Sequence, residues 1–339
     1  MRTGLAVRLG LSLFVLSLCA APLWAQEAPK EQGPDQQGEL PTFRTQVNVV
    51  NLFFNVKDKH GALIPGLTKD EFEVFEDGKP QTIKYFSAET NQPLTLGILI
   101  DTSASQQRVL PMEQDVGAAF LKEVLTPKDL AFVINFDVNV ELQQDFTSSA
   151  RDLREALMRV RINSGSPPVT GIPGVGGGPI PQHGTPKGTL LYDAIFLAAD
   201  EKLKNEVGRK AMIILTDGED QGSMMILNRA VEAAQRADTI VYVLLIADRG
   251  FYYGAMGYSG DRDMKRLTEQ TGGRTIEVGN KYEKVKKAFD QIAAELRSQY
   301  SIGYTPTNTA RDGSFRKIEL VSKQGYHVQT RKGYYAPTR

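Results

Sequence analysis

The chain has 339 residues, with 40 Lys+Arg against 40 Asp+Glu, 41% hydrophobic and 24% charged residues, three His, one Cys and one Trp. This is ordinary globular composition, long enough for two domains. Zero net charge without a basic stripe argues against a nucleic-acid or polyanion binder, and three histidines argue against a His-rich metal site or a His-centred catalytic apparatus.

Arg2 and Arg8 precede the apolar run Leu9 to Ala21, the pattern of a signal peptide over residues 1–25. The run is shorter than the ~20 apolar residues of a membrane span. Cleavage is expected after Ala25. Cys19 does not read as a lipidation site, because Leu18 stands where a small residue is needed. Removal of residues 1–25 takes two arginines, no acid, and the only Cys and Trp, which leaves 314 residues with 38 Lys+Arg against 40 Asp+Glu and a net charge of −2. Such a chain is stabilised by core burial without disulfides. No later run reads as a membrane span, so the expected location is the periplasm or the cell exterior.

Residues 26–43 are rich in Gln, Glu, Pro and Gly and read as a disordered linker. Gln46 to Val56 is β-branched and aromatic; a turn at Asp58-Lys59-His60-Gly61 follows, then short strands at Phe72–Phe75 and Gln81–Phe86 around Glu76-Asp77-Gly78. At Leu94 the texture changes to LTLGILI, a continuous apolar run typical of a parallel strand buried on both faces. A helix is predicted over Leu110–Leu125, with Met112, Val116, Ala119, Phe120 and Val124 at helical spacing. Strands at 130–137 and 140–146 and a helix from Ser149 to Val160 come next. Two further strand and helix units follow: 211–217 with a helix from Met224 to Arg236, and 239–247 with a helix near 263–271. A strand at 274–278 and a helix over Tyr282–Arg297 close the alternation, which predicts a doubly wound, mostly parallel α/β sheet.

After Ser298 the chain returns to β texture. Neither β flank is long enough to close a core alone, so residues 44–90 and 299–336 are predicted to form one small all-β sandwich into which the α/β unit, 93–297, is inserted.

Directly after the first buried strand comes Asp101-Thr102-Ser103-Ala104-Ser105, a D-x-S-x-S turn at the carboxyl end of a strand, where ligands of open α/β sheets bind. One carboxylate and two hydroxyls with no adjacent base make a poor nucleophile apparatus but good hard-oxygen ligands for Mg²⁺, Mn²⁺ or Ca²⁺. The next apolar strand runs into Thr216-Asp217-Gly218, which places Asp217 at the same edge. Between them Gly188-Thr189 opens a predicted helix and offers another hydroxyl. The competing reading is structural: Asp101, Ser103 and Ser105 can each cap the helix that follows.

D-x-S-x-S, a Thr at a helix start and T-D-G after an apolar strand, in this order over about residues 93–297, resemble the metal-ion-dependent adhesion site of von Willebrand factor A domains. The resemblance implies a Rossmann-like sheet and a divalent cation, Mg²⁺ ahead of Mn²⁺ or Ca²⁺. Ser103, Ser105 and Thr189 would ligate it, with Asp101 and Asp217 direct or through water, and a carboxylate of a protein partner would complete the shell. GLTKDEFEVFEDG at 66–78 and the terminal QYSIGY and RKGYYAP are similar to the flanks of secreted bacterial A-related proteins. Asp193 is a candidate for the surroundings of the site, whereas Glu219 and Asp220 read as solvated loop acids.

The Gly/Pro-rich stretch 162–188 and the aromatic loop 248–260 are expected to rim the metal face, either selecting a partner or serving as linkers. Enzyme signatures are missing: no phosphate loop, no G-x-S-x-G elbow, and no catalytic motif around His60, His183 or His327. The reading is therefore a secreted, non-enzymatic protein-binding or adhesion module. Its rivals are a structural or assembly module with a vestigial metal site and a metal-assisted hydrolase.

Overall fold

A computed structural model describes residues 49–89, 92–163, 188–246 and 260–338. The predicted signal and linker, and most of the two expected rim loops, lie outside the described residues. The described residues all fall in one compact unit.

Four strands come first: β1 (Val50–Lys57), β2 (Phe72–Glu76), β3 (Lys79–Gln81) and β4 (Ile83–Glu89). Asp77 and Gly78 link β2 to β3 with φ of 48° and 77°. Two successive positive φ values are what a tight hairpin turn demands, and Asp-Gly tolerates them. The alternating part comprises β5 (Leu94–Asp101), α1 (Leu110–Val124), β6 (Leu130–Phe136), β7 (Val140–Thr147), α2 (Ala150–Arg159), α3 (Leu191–Leu197), β8 (Arg209–Thr216), α4 (Leu227–Arg236), β9 (Thr239–Leu245), α5 (Gly260–Thr271), β10 (Thr275–Glu277) and α6 (Tyr282–Arg297). The chain ends in β11 (Gln299–Tyr304), β12 (Phe315–Ser322), β13 (His327–Gln329) and β14 (Gly333–Tyr335).

The central sheet has the order β10-β9-β8-β5-β6-β7 and is parallel except for β7, which hairpins antiparallel onto β6. Every residue of β5, β8 and β9 is buried, which accounts for their unbroken apolar sequences. Successive side chains of β5 point to opposite faces. Leu96, Ile98 and Ile100 join the core beneath α1, α2 and α6, while Leu99 joins the core beneath α3, α4 and α5. Three layers result, helices on both faces of a doubly wound sheet.

The two β flanks interlace. β1 pairs with β11, which pairs with β4, and β2 pairs with β12, all antiparallel. The two four-stranded sheets, β13-β1-β11-β4 and β14-β12-β2-β3, share a core that includes Leu52, Phe54, Phe72, Tyr300, Tyr304 and Ile318. β12 alternates strictly between exposed and buried positions, as a strand with one solvated face should. No helix among the described residues is long and apolar enough to cross a membrane.

Two local expectations are corrected. Helix α4 begins at Leu227, not Met224: Asp193 takes the Met224 and Met225 amides at 3.0 and 2.8 Å, so these residues are bonded away from a helical ladder. On α1, Ala119 is exposed and Ala118 is buried, because α1 also packs against α2 beside the sheet.

Candidate metal centre

The carboxyl ends of β5 and β8 are adjacent in the sheet, so the loops that follow them emerge side by side. Asp101, fully buried, is the last residue of β5. One of its oxygens, Oδ1, accepts the Ser103 backbone N–H at 2.9 Å; the other, Oδ2, accepts the Thr216 hydroxyl at 2.7 Å. Ser103 Oγ and Ser105 Oγ lie 3.0 Å apart, and Ser105 Oγ donates to Asp217 Oδ2 at 2.6 Å. Four of the sequence-predicted residues, Asp101, Ser103, Ser105 and Asp217, thus form one connected oxygen cluster. The Ser103 and Ser105 side chains make no cap bond to the short helical turn Ala104–Gln106.

Thr189 reaches the same edge by its backbone. Its N–H donates to Gln221 O at 3.0 Å and its C=O accepts the Gln221 N–H at 2.9 Å, while the Leu190 N–H donates to Asp137 O at 2.8 Å. Thr189 therefore stands in a two-residue ladder between the loops after β6 and β8 and is buried, two residues before α3 begins, rather than opening that helix.

The surroundings include residues that the sequence did not single out. Thr216 orients Asp101 and also accepts the Gly218 N–H at 3.0 Å. Asp137 receives the Thr102 hydroxyl at 2.6 Å, which ties the D-x-S-x-S turn to the end of β6. Gly218, with φ of 86°, lies so close to Gly260 that a Cβ on either would meet the other's backbone within about 3 Å. The start of α5 is thereby docked on the T-D-G turn. Glu219 and Asp220 are half-buried rather than solvated: Glu219 accepts the Gly260 N–H at 3.1 Å, and Asp220 accepts the Tyr192 N–H at 3.1 Å.

Burial first, and then the charge of Asp217, push the Asp101 carboxyl up to about 7, against the opposing hydrogen bonds from Ser103 and Thr216. Two close carboxylates in a low-dielectric setting with hydroxyl neighbours suit a hard divalent cation, which relieves the repulsion that protonation otherwise relieves. Among the described residues no three His, Cys, Asp or Glu side chains gather as a metal-holding group. A cation here would rest on hydroxyls together with two carboxylates.

No family model and no curated protein matches the chain. Solved structures do. BatB, a conserved hypothetical protein from Bacteroides thetaiotaomicron, is 20% identical, with 60% of this chain and 100% of that one covered, at a TM-score of 0.42. A von Willebrand factor type A structure from Catenulispora acidiphila is 12% identical over 87% and 75% of the two chains, at 0.45. The fold itself, a six-stranded and mostly parallel sheet with helices on both faces, rests on this chain's own strand order. Proximal thread matrix protein 1 from the mussel byssus, with a zinc-occupied MIDAS motif, is 14% identical over 64% of this chain and 48% of that one, at 0.45. In this doubly wound sheet the D-x-S-x-S and T-D-G turns occupy neighbouring strand ends.

Proposed function

We propose that the chain is an exported, non-enzymatic module that binds a protein partner through a divalent cation. The observation that carries this reading is the connected oxygen cluster of Asp101, Ser103, Ser105 and Asp217 at the carboxyl edge of the sheet. Ser103, Ser105 and Thr189 would supply hydroxyl ligands, and Asp101 and Asp217 would supply charge, directly or through water. A bound cation, Mg²⁺ ahead of Mn²⁺ or Ca²⁺, would provide an electrostatic anchor for an acidic side chain of the partner. The chain's own residues do the positioning. Thr216 and the Ser103 amide hold the Asp101 carboxylate by its two oxygens. The ladder with Gln221 fixes Thr189 between neighbouring loops. We further propose that the signal occupies residues 1–25, that the A-type unit runs from 93 to 297, and that it sits as an insertion in a β-sandwich built from 44–90 and 299–336.

The test is thermal unfolding after chelation, then with Mg²⁺, Mn²⁺ or Ca²⁺ added, beside Asp101→Ala. A ligand bound only by the folded state stabilises by about 2.7 kcal/mol at a hundred times its dissociation constant. A metal-dependent rise in wild type that Asp101→Ala lacks is the expected result. No rise at millimolar metal in either protein would favour a structural or assembly module with a vestigial site.

A further inference from the structure

Helix α1 carries an acid where its pattern calls for an apolar residue. Leu110, Glu113, Gly117, Leu121 and Val124 follow the three-and-four spacing of its sheet-facing stripe, and all are buried. Glu113 is fully buried in the first turn, next to the loop that carries Ser103 and Ser105, and neither of its carboxylate oxygens has a hydrogen-bond partner. Gln106, which directly follows Ser105, is 1% exposed, and neither atom of its amide is partnered. Four of the ten buried, unpartnered side-chain atoms among the described residues thus belong to two side chains on the α1 side of the centre. Interiors leave few such groups unpaired, and a carboxylate is the costliest of them. The charges nearest in effect to Glu113 are Asp101 and Asp217, both repulsive, and no lysine or arginine pairs with it among the described residues.

We infer that Glu113 is a third carboxylate of the cation centre, compensating the ion's charge from the buried, α1 side. This rests on the proposed cation-dependent reading of the site. Since no three acidic side chains among the described residues gather closely enough to be direct ligands together, Glu113 acts from outside the coordination shell, as an acceptor for a cation-bound water. Gln106, with a donor and an acceptor on one amide, is suited to the same water network. Asp101 and Asp217 match the charge of a divalent ion; Glu113 adds an acceptor for the ion's water on the buried side and so strengthens the hold on the cation.

Mn²⁺ titration followed by electron paramagnetic resonance, on wild type, Glu113→Gln, Glu113→Leu and Asp101→Ala, tests this. The expected result is Mn²⁺ binding in wild type, loss in Asp101→Ala, and at least about tenfold weaker binding in both Glu113 variants, the scale of outer-shell effects at metal sites. Thermal unfolding under chelator should show Glu113→Gln to be at least as stable as wild type, which separates weaker binding from misfolding. Equal Mn²⁺ affinity in wild type and Glu113→Gln, with Asp101→Ala inactive, would overturn the role of Glu113 and leave the cation reading standing. No Mn²⁺ binding by wild type would overturn both.

Discussion

Glu295 and Asp101 are both buried acids of the same compact unit, yet their surroundings differ. Glu295, on α6, receives Lys57 Nζ from β1 at 2.9 Å and Arg274 Nη2 at 2.7 Å, and Gln329 from β13 lies 3.4 Å away. The chain compensates this charge with its own cations, at the place where α6 packs against the first antiparallel sheet. Asp101 is held by a hydroxyl and an amide, with Asp217 and Glu113 as further acids in its field. Glu76 in the sandwich core is an intermediate case, taking hydroxyls from Tyr304 at 2.8 Å and Tyr334 at 3.1 Å, whose phenols are pushed up by burial and by that acceptor. Glu295 carries its counter-charges within the chain, whereas Asp101 is held by neutral donors and, in the proposed reading, takes its counter-charge from a bound ion.

The largest effect separating the two regions is a pH dependence. With its folded value near 7 against 3.8 for an ordinary Asp, Asp101 holds its proton more tightly in the folded state. Its contribution to stability is therefore fully present below about pH 4 and is lost as pH rises to about 7. Glu113, raised by the same causes, adds to the fall. Urea unfolding of chelated protein between pH 4 and 8 should show this decline. Asp101→Asn should make it shallower, leaving the part due to Glu113, and saturating divalent cation should offset it. A flat profile in chelated wild type would erase the contrast with Glu295. Next in size, Glu295→Ala should cost about 3 kcal/mol at neutral pH, because Lys57 and the partly exposed Arg274 are left facing each other. Asp101→Asn and Glu295→Ala should thus move chelated protein in opposite directions, as read from denaturant midpoints. A third change tests how the T-D-G turn is braced. In Gly260→Ala the new Cβ would fall 2.6 Å from Gly218 C, so α5 must shift. About 2 kcal/mol of destabilisation is expected by unfolding, with weaker divalent binding.

The placement of the oxygen-bearing turns is legible in the sequence for a physical reason. Strands buried on both faces, such as Leu94–Asp101 and Arg209–Thr216, leave unbroken apolar runs, and the oxygen-bearing turns directly after them are bound to share one edge of a parallel sheet. Thr189 was harder to place, because its position is set by a two-residue ladder with Gln221 and not by its own helix. Glu113 escaped altogether. An acid in the first turn of a helix is favourable anyway, so only its coincidence with the buried stripe 110, 113, 117, 121, 124 marks it as unusual. Asp137 and Thr216 act by bonding to other residues of the site, and nothing local in the sequence announces such partners.

The smallest expected effects concern the loop before α4, where Met224 is 88% exposed and Ile226 62% exposed. A loop presenting apolar side chains to water gains nothing from them in folding, so its position must be enforced by something else. The Asp193 carboxylate supplies that force by accepting the Met224 and Met225 N–H groups, much as a helix-capping acid does. Met224→Ser should therefore change stability by less than about 0.5 kcal/mol, whereas Asp193→Ala should cost about 1 kcal/mol and speed amide hydrogen exchange at Met224 and Met225. If Met224→Ser proved the more destabilising of the two, the loop would be held by side-chain packing instead, and Asp193 would lose its role as the brace of this edge.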